Sequence, residues 1–287
     1  MKRIFSNRGI LFVFEEYYGF RIRPFSKTPD PRFLYLSRAH EEALARLQFA
    51  VEEREIALLT GEVGCGKTTI TRALMDSMEN CRFIVVLNPR LTSYDFIRTI
   101  SIRFNCNVNS EKKADLLEAI YEKVYEDHKS GVIPVIIVDE AHLIPYKETF
   151  EEIRLLTNFQ FDDKNLLSLI LVGQPDLRKK LDLPSLLALK QRIGISYHLN
   201  PLNEDEVKAY MEFRIKAGGR DNPLFTDAAV TSIYRYSRGI PRVINGLANM
   251  ALLEGLSRDA DLIDEDIIRA AAIEIGLNGY SKDKKEA

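Results

Sequence analysis

The sequence predicts an α/β protein: a parallel sheet covered by helices on both faces, followed by a small all-helical domain. Two patterns carry that expectation. From Ile56 onward, short and nearly continuous apolar runs alternate with amphipathic stretches, the order expected of strands buried on both faces and linked by helices. After Pro201 the strands stop and only helical periodicity remains. A third observation locates the chemistry. Residues 61–68 read Gly61-Glu62-Val63-Gly64-Cys65-Gly66-Lys67-Thr68, a full match to G-x-x-x-x-G-K-[ST] lying between an apolar run and a helix.

Taken in order, residues 1–36 are rich in aromatics and prolines, including Tyr17-Tyr18-Gly19-Phe20, Pro24-Phe25 and Thr28-Pro29-Asp30-Pro31. They predict an irregular arm fixed by Phe and Tyr anchors. Phe25, Pro29 and Tyr35 either staple this arm to the core or border a bound base. Ser37 is a capping residue for a helix running to Glu53, with apolar spacing at Ala43, Leu44, Leu47 and Val51. Strands are expected at 56–60, 83–87, 135–139, 167–173 and 196–199. Helices are expected at 68–78, 93–104, 112–128, 147–157 and 183–191. Beyond Pro201, helices are expected at 204–217, 226–237, 240–256 and 264–275. Asn203 and Thr226 stand at two of their starts, each just before acidic residues. The charged run 281–287 predicts a disordered tail. The expected domains are therefore the arm at 1–36, an α/β core at 37–201, a helical domain at 202–277 and a tail at 278–287.

Composition narrows the class. A chain of 287 residues with 46% hydrophobic and 29% charged content suits a globular protein of about two domains. Forty basic against forty-two acidic residues leave a net charge of −2, so a nucleic-acid surface would have to be local rather than global. Three cysteines, Cys65, Cys81 and Cys106, show no paired spacing and fit a reducing compartment rather than a disulfide framework. Cys65 lies inside the phosphate loop, where it is either a small tolerated side chain or a point at which oxidation interferes. The apolar stretch from Ile10 to Phe14 is only five residues long and is followed by Glu15-Glu16, too short for a signal peptide. No run of about 18 apolar residues suggests a membrane-spanning helix. These features together predict a cytoplasmic protein.

The loop at 61–68 has a direct physical reading. Its glycines permit the turn and let backbone N–H groups approach a phosphate chain, Lys67 reaches the β- and γ-phosphates, and the Thr68 hydroxyl holds Mg²⁺. Gly61, Glu62, Val63, Gly64, Cys65, Gly66, Lys67, Thr68 and Thr69 are the expected nucleotide-binding residues. Further along, Val135-Ile136-Ile137-Val138-Asp139-Glu140 is an apolar run ending in two carboxylates. Asp139 is expected to hold the metal with Thr68, and Glu140 to polarise the attacking water. Leu169-Ile170-Leu171-Val172-Gly173-Gln174 ends another buried run in an amide, and Gln174 is expected near the γ-phosphate.

These motifs in this order, with the helical domain behind them, resemble AAA+ P-loop ATPases. The similarity narrows to the general secretion pathway protein A (ExeA-like) group. It is carried by Phe20-x4-Phe25, Thr28-Pro29-Asp30-Pro31-Arg32-Phe33-Leu34-Tyr35-Leu36-Ser37, His40, Leu87-Asn88-Pro89, Asp139-Glu140-Ala141-His142, Val172-Gly173-Gln174-Pro175 and Tyr197-His198-Leu199-x-Pro201-Leu202, and it spans about residues 17–275. The resemblance implies a three-layer core with a helical lid, MgATP as ligand, and a homo-oligomer. It implies an arginine finger at Arg192 acting on a neighbour's γ-phosphate, and a lid arginine, Arg242 in Gly239-Ile240-Pro241-Arg242, touching the nucleotide of its own subunit. Ser196 stands where relatives often carry a basic residue, which argues against a second arginine acting in trans.

The physiological setting stays open at this stage. Secretion-linked members of the group continue into a membrane span and a peptidoglycan-binding domain, whereas this sequence ends after the helices. That shifts the expectation toward transposition target-selection ATPases, which bind double-stranded DNA and recruit a transposase. Arg90, Arg98, Arg103 and Arg178-Lys179-Lys180 are the basic residues that would serve such a surface, or else are ordinary solvated charges. The alternatives are a secretion or envelope-assembly partner, or a nucleotide-gated scaffold.

Overall fold

A computed structural model describes residues 15–26, 31–106, 108, 112–162 and 164–277. Pro29, the Ile10–Phe14 stretch and the tail at 278–287 lie outside the described residues. The chain divides into two compact units, one of Arg38–Asn200 and one of Met1–Ser37 together with Pro201–Ala287.

The first unit opens with helix α1 (Arg38–Glu52), then strand β1 (Ile56–Gly61) and helix α2 (Lys67–Ser77). Strand β2 (Cys81–Val86), helices α3 (Ser93–Arg103) and α4 (Lys113–Lys129), and strand β3 (Ile133–Val138) follow. Helix α5 (Lys147–Leu156) leads into a small hairpin of β4 (Gln160–Phe161) and β5 (Lys164–Asn165), then strand β6 (Ser168–Gly173). Helices α6 (Asp176–Leu181) and α7 (Leu187–Lys190) precede the last strand, β7 (Ile193–Leu199). The sheet order is β2-β3-β6-β1-β7 and every pairing is parallel. The carboxyl ends of β3, β6 and β1 are therefore neighbours.

Strand periodicity sorts the core into two layers. Ile56, Leu58, Ile84, Val86, Ile136, Val138, Leu169 and Leu171 share one cluster with Phe96, Ile97, Ile100, Ile120 and Phe150 of α3, α4 and α5. The alternate residues Ala57, Leu59, Val135, Ile137, Ile170 and Val172 are equally buried but fall outside that cluster. Helices α1 and α2 pack on each other, and both contact β1. This is the three-layer arrangement that the unbroken apolar strands predict. Each fully buried Ile or Leu contributes about 1.5–3 kcal/mol relative to an exposed one.

Three local differences from the sequence expectation have physical causes. The helix expected at 183–191 is split: Pro184 opens a 3-10 turn, and only Leu187–Lys190 is α-helical. A six-residue helix outside the expected set follows Gln174, with Pro175 at its N-cap, where a missing N–H costs nothing. The last strand begins at Ile193 rather than 196, with Gly194 closing onto Glu55; a Cβ there would lie 2.6 Å from the Glu55 carboxylate.

The second unit consists of α8 (Glu204–Ala217), α9 (Asp227–Ser237), α10 (Pro241–Ser257) and α11 (Glu265–Glu274), together with the N-terminal arm. Asn203 closes a full capping box with Glu206 at α8, Thr226 caps α9 through the Ala229 amide, and Asp264 caps α11 through the Ile267 amide. The arm is not a domain of its own. Tyr18, Phe20 and Phe25 are buried in the same cluster as Val207, Leu247, Leu252 and Ile268. The Tyr18 hydroxyl donates to the Leu252 carbonyl at 3.0 Å, Phe25 meets Phe225 edge-on, and Tyr35 meets Tyr210 edge-on. The aromatic anchors therefore staple the arm into the helical unit.

Candidate nucleotide site

The loop after β1 is shaped by two left-handed glycines, Gly64 at φ 87° and Gly66 at φ 104°. At Gly66 there is also no room: a Cβ would lie 2.7 Å from Nε2 of His40, which itself hydrogen-bonds the Cys65 carbonyl at 2.9 Å. Replacing Gly66 by Ala should therefore cost about 1–2 kcal/mol from the backbone alone, with the crowding added. A lowered midpoint in thermal unfolding, together with weaker ATP binding, is the expected result.

Lys67 opens α2, and its buried ammonium donates to the Gly61 carbonyl at 2.8 Å and the Glu62 carbonyl at 3.0 Å. Burial holds its amine below the usual lysine range, opposed by the nearby Glu140 and Asp139 carboxylates. Asp139 ends β3 and is also buried. Burial pushes its carboxyl up, while hydrogen bonds from the Glu140 amide, at 2.8 Å, and from the Thr68 side chain pull it down. Thr68 and Asp139 are thus brought together, a hydroxyl and a carboxylate of the hard-oxygen type that Mg²⁺ takes. The donor set and the glycine cradle fit MgATP. Replacing Lys67 by Ala should abolish ATP binding, measured by titration with a fluorescent analogue.

Glu140 follows in a left-handed conformation, φ 51°, uncommon for a non-glycine residue. Its Oε2 lies 3.4 Å from Nδ1 of His142. Gln174 follows β6 directly, so the three segments converge through adjacent strand ends. Sequence alone assigns His142 no role.

Arg192 is elsewhere. It precedes the first residue of β7, whose Ile193 pairs with Ile56 at the start of β1, while Leu199 pairs with Gly61 at the loop end. It is exposed, and its guanidinium donates to Thr157 Oγ1 at 2.8 Å and Asn158 Oδ1 at 2.5 Å. Arg242 is exposed on the first turn of α10, in the helical unit. Among the cysteines, Cys65 is buried and burial pushes its thiol up, which favours the inert reading. Of the basic residues, Arg90, Arg98 and Arg103 are exposed. Lys179 is paired with Asp176 and Lys180 is bound to the carbonyls of His142 and Ile144, so Lys180 holds the fold rather than a basic surface.

A parallel β2-β3-β6-β1-β7 sheet with a phosphate loop after β1 and an acidic pair after β3 is the α/β fold of AAA+ P-loop NTPases, and residues 51–181 match the AAA domain family model. Among characterised proteins, the chain is 38% identical over 267 residues to general secretion pathway protein A of Aeromonas hydrophila. That match covers 92% of this chain and 48% of the relative, so the chain spans about half the length of the relative. Among solved structures, Cdc6p from Pyrobaculum aerophilum matches with a TM-score of 0.67 and 19% identity, covering 88% of this chain and 70% of that one. The Aeropyrum pernix ORC1 protein in complex with DNA matches with a TM-score of 0.63 and 18% identity, covering 89% and 70%. Among the described residues no helix is long and apolar enough to cross a membrane.

Proposed function

We propose that the chain binds MgATP and hydrolyses it within an assembly of its own copies. The observation that supports this most is a separation. Lys67, Asp139, Glu140 and Gln174 gather at one end of the sheet, while Arg192 stands at the other end of the strand beside β1. Lys67 binds the phosphates, Thr68 and Asp139 hold the metal, and Glu140 and Gln174 orient the water. Mg²⁺, when bound, supplies charge neutralisation at the phosphates. Arg192 is offered to a neighbouring copy, and Arg242 keeps the role the resemblance implies, a contact to nucleotide. Specific ATPase activity should rise with protein concentration through the range in which assembly occurs. A rate per chain that stays flat while oligomers form would contradict the proposal.

The identity to a secretion pathway protein favours a protein partner at a secretion or envelope apparatus. The exposed Arg90, Arg98 and Arg103 on and before α3 favour a second reading, an ATPase that assembles on double-stranded DNA and recruits a transposase. The two readings separate in a binding assay with double-stranded DNA, with and without ATP, across a salt series. DNA association predicts ATP-dependent binding with a steep salt slope that is weakened by replacing those arginines. ATP-dependent oligomers with no DNA binding at low salt leave the protein-partner reading.

A further inference from the structure

Around His142 the fold joins two parts of the site that sequence presents separately. The 3-10 turn Ala141–Leu143 is pressed against the end of β6: a Cβ at Gly173 would lie 3.4 Å from the His142 amide and 2.8 Å from Leu177. Lys180 fixes the turn from the other side, its ammonium donating to the His142 carbonyl at 3.0 Å and the Ile144 carbonyl at 2.5 Å. The imidazole is thereby held with Nδ1 between two groups. The Gln174 amide donates to it at 3.4 Å, and Glu140 Oε2 faces it at the same distance. That carboxylate oxygen is buried and has no hydrogen-bond partner.

A neutral imidazole nitrogen is either a donor or an acceptor. While Nδ1 accepts from the Gln174 backbone N–H, its one lone pair is taken and it carries no proton, so it cannot donate to Glu140. In the other tautomer Nδ1–H donates to Glu140 Oε2, and the Gln174 amide loses its acceptor. The two contacts exclude each other. The charged groups around the ring are Glu140, Lys67, Lys180 and Asp176.

Resting on the reading of Glu140 as the water-activating carboxylate, we infer that His142 is a positioning residue that shares one nitrogen between Glu140 and the Gln174 amide and so couples the aim of the carboxylate to the end of β6. Gln174 is the residue proposed to meet the γ-phosphate. A shift of its backbone releases Nδ1 to hold Glu140, so the carboxylate is aimed when the end of β6 is engaged.

The test compares His142→Ala, His142→Asn and Glu140→Gln for ATPase kcat and KM, ATP affinity and thermal midpoint. H142A is expected to lower kcat about tenfold or more with KM and ATP affinity nearly unchanged, the pattern of a misaimed group rather than lost binding. H142N should recover most of kcat, because an amide supplies a donor and an acceptor. Normal kcat in H142A beside an inactive E140Q would overturn the coupling while sparing Glu140. Equal losses of kcat, affinity and thermal midpoint in H142A and H142N would also overturn it, as a merely structural effect. An E140Q variant that turns over normally would instead remove the reading of Glu140 on which the inference rests.

Discussion

Replacing Arg192 by alanine should lower ATP turnover by about 10³-fold or more, the scale of a lost arginine finger, while ATP binding and assembly persist. The register of β7 on β1 gives the reason. The steps from Ile56 to Gly61, at about 3.3 Å each, put roughly 17 Å between Arg192's end of the sheet and the phosphate loop. That is beyond the length of an arginine side chain, so within its own α/β unit Arg192 has no route to the loop. Yet it is not an idle surface charge. Thr157 and Asn158, just past α5, hold its Nη1 and leave the guanidinium exposed. Arginine suits the role because it is always charged and forks onto phosphate oxygens. Steady-state ATPase assays, with nucleotide binding and light scattering on the same variant, check the expectation. Loss of ATP binding with assembly spared would show that Arg192 serves its own site.

The second large effect is expected at Glu140. Glu140→Gln should cut turnover by about 10²–10⁴-fold, the range of a lost general base, and retain MgATP. The amide keeps the shape of the carboxylate but loses the charge that draws a proton from water. Asp139 should be unaffected in its metal role, because its carboxylate is held by the Glu140 backbone amide, which the substitution leaves in place. E140Q should therefore accumulate as an ATP-loaded assembly. Partner recruitment in that trapped state separates two modes of action: a nucleotide-gated scaffold stays competent, whereas a motor stalls. Single-turnover hydrolysis and gel filtration in ATP are the measurements.

The phosphate loop was legible because all its determinants lie in consecutive residues, and two of the three glycines that sequence marks, Gly64 and Gly66, are at positive φ. The strands were legible because burial on both faces leaves nearly uninterrupted apolar runs, and the acidic pair after β3 because it interrupts one of them. Short elements were not legible. The hairpin at Gln160–Phe161 and Lys164–Asn165 offers two residues per strand, too few for any period to register. The arm was legible as a set of anchors but not in its destination, since Tyr18 meets Leu252 and Phe25 meets Phe225 across most of the chain length. His142 escaped for the same reason. Its neighbourhood with Gln174 arises only when β6 lies beside β3, and a histidine after two acids carries no local signal of that. Lys180 looked like part of a basic run, and its turn toward two carbonyls depends on where the Ala141–Leu143 turn settles.

In the proposed assembly, one copy completes the site of the next. The most direct measurement mixes the Arg192→Ala and Glu140→Gln variants, each inactive alone, and follows ATP hydrolysis. R192A retains an intact carboxylate and lacks the finger; E140Q retains the finger and lacks the carboxylate. If the finger arrives from a neighbour, mixed assemblies restore turnover at R192A sites that adjoin E140Q copies. If mixed assemblies form and turnover stays at the level of the separate variants, Arg192 does not act between copies.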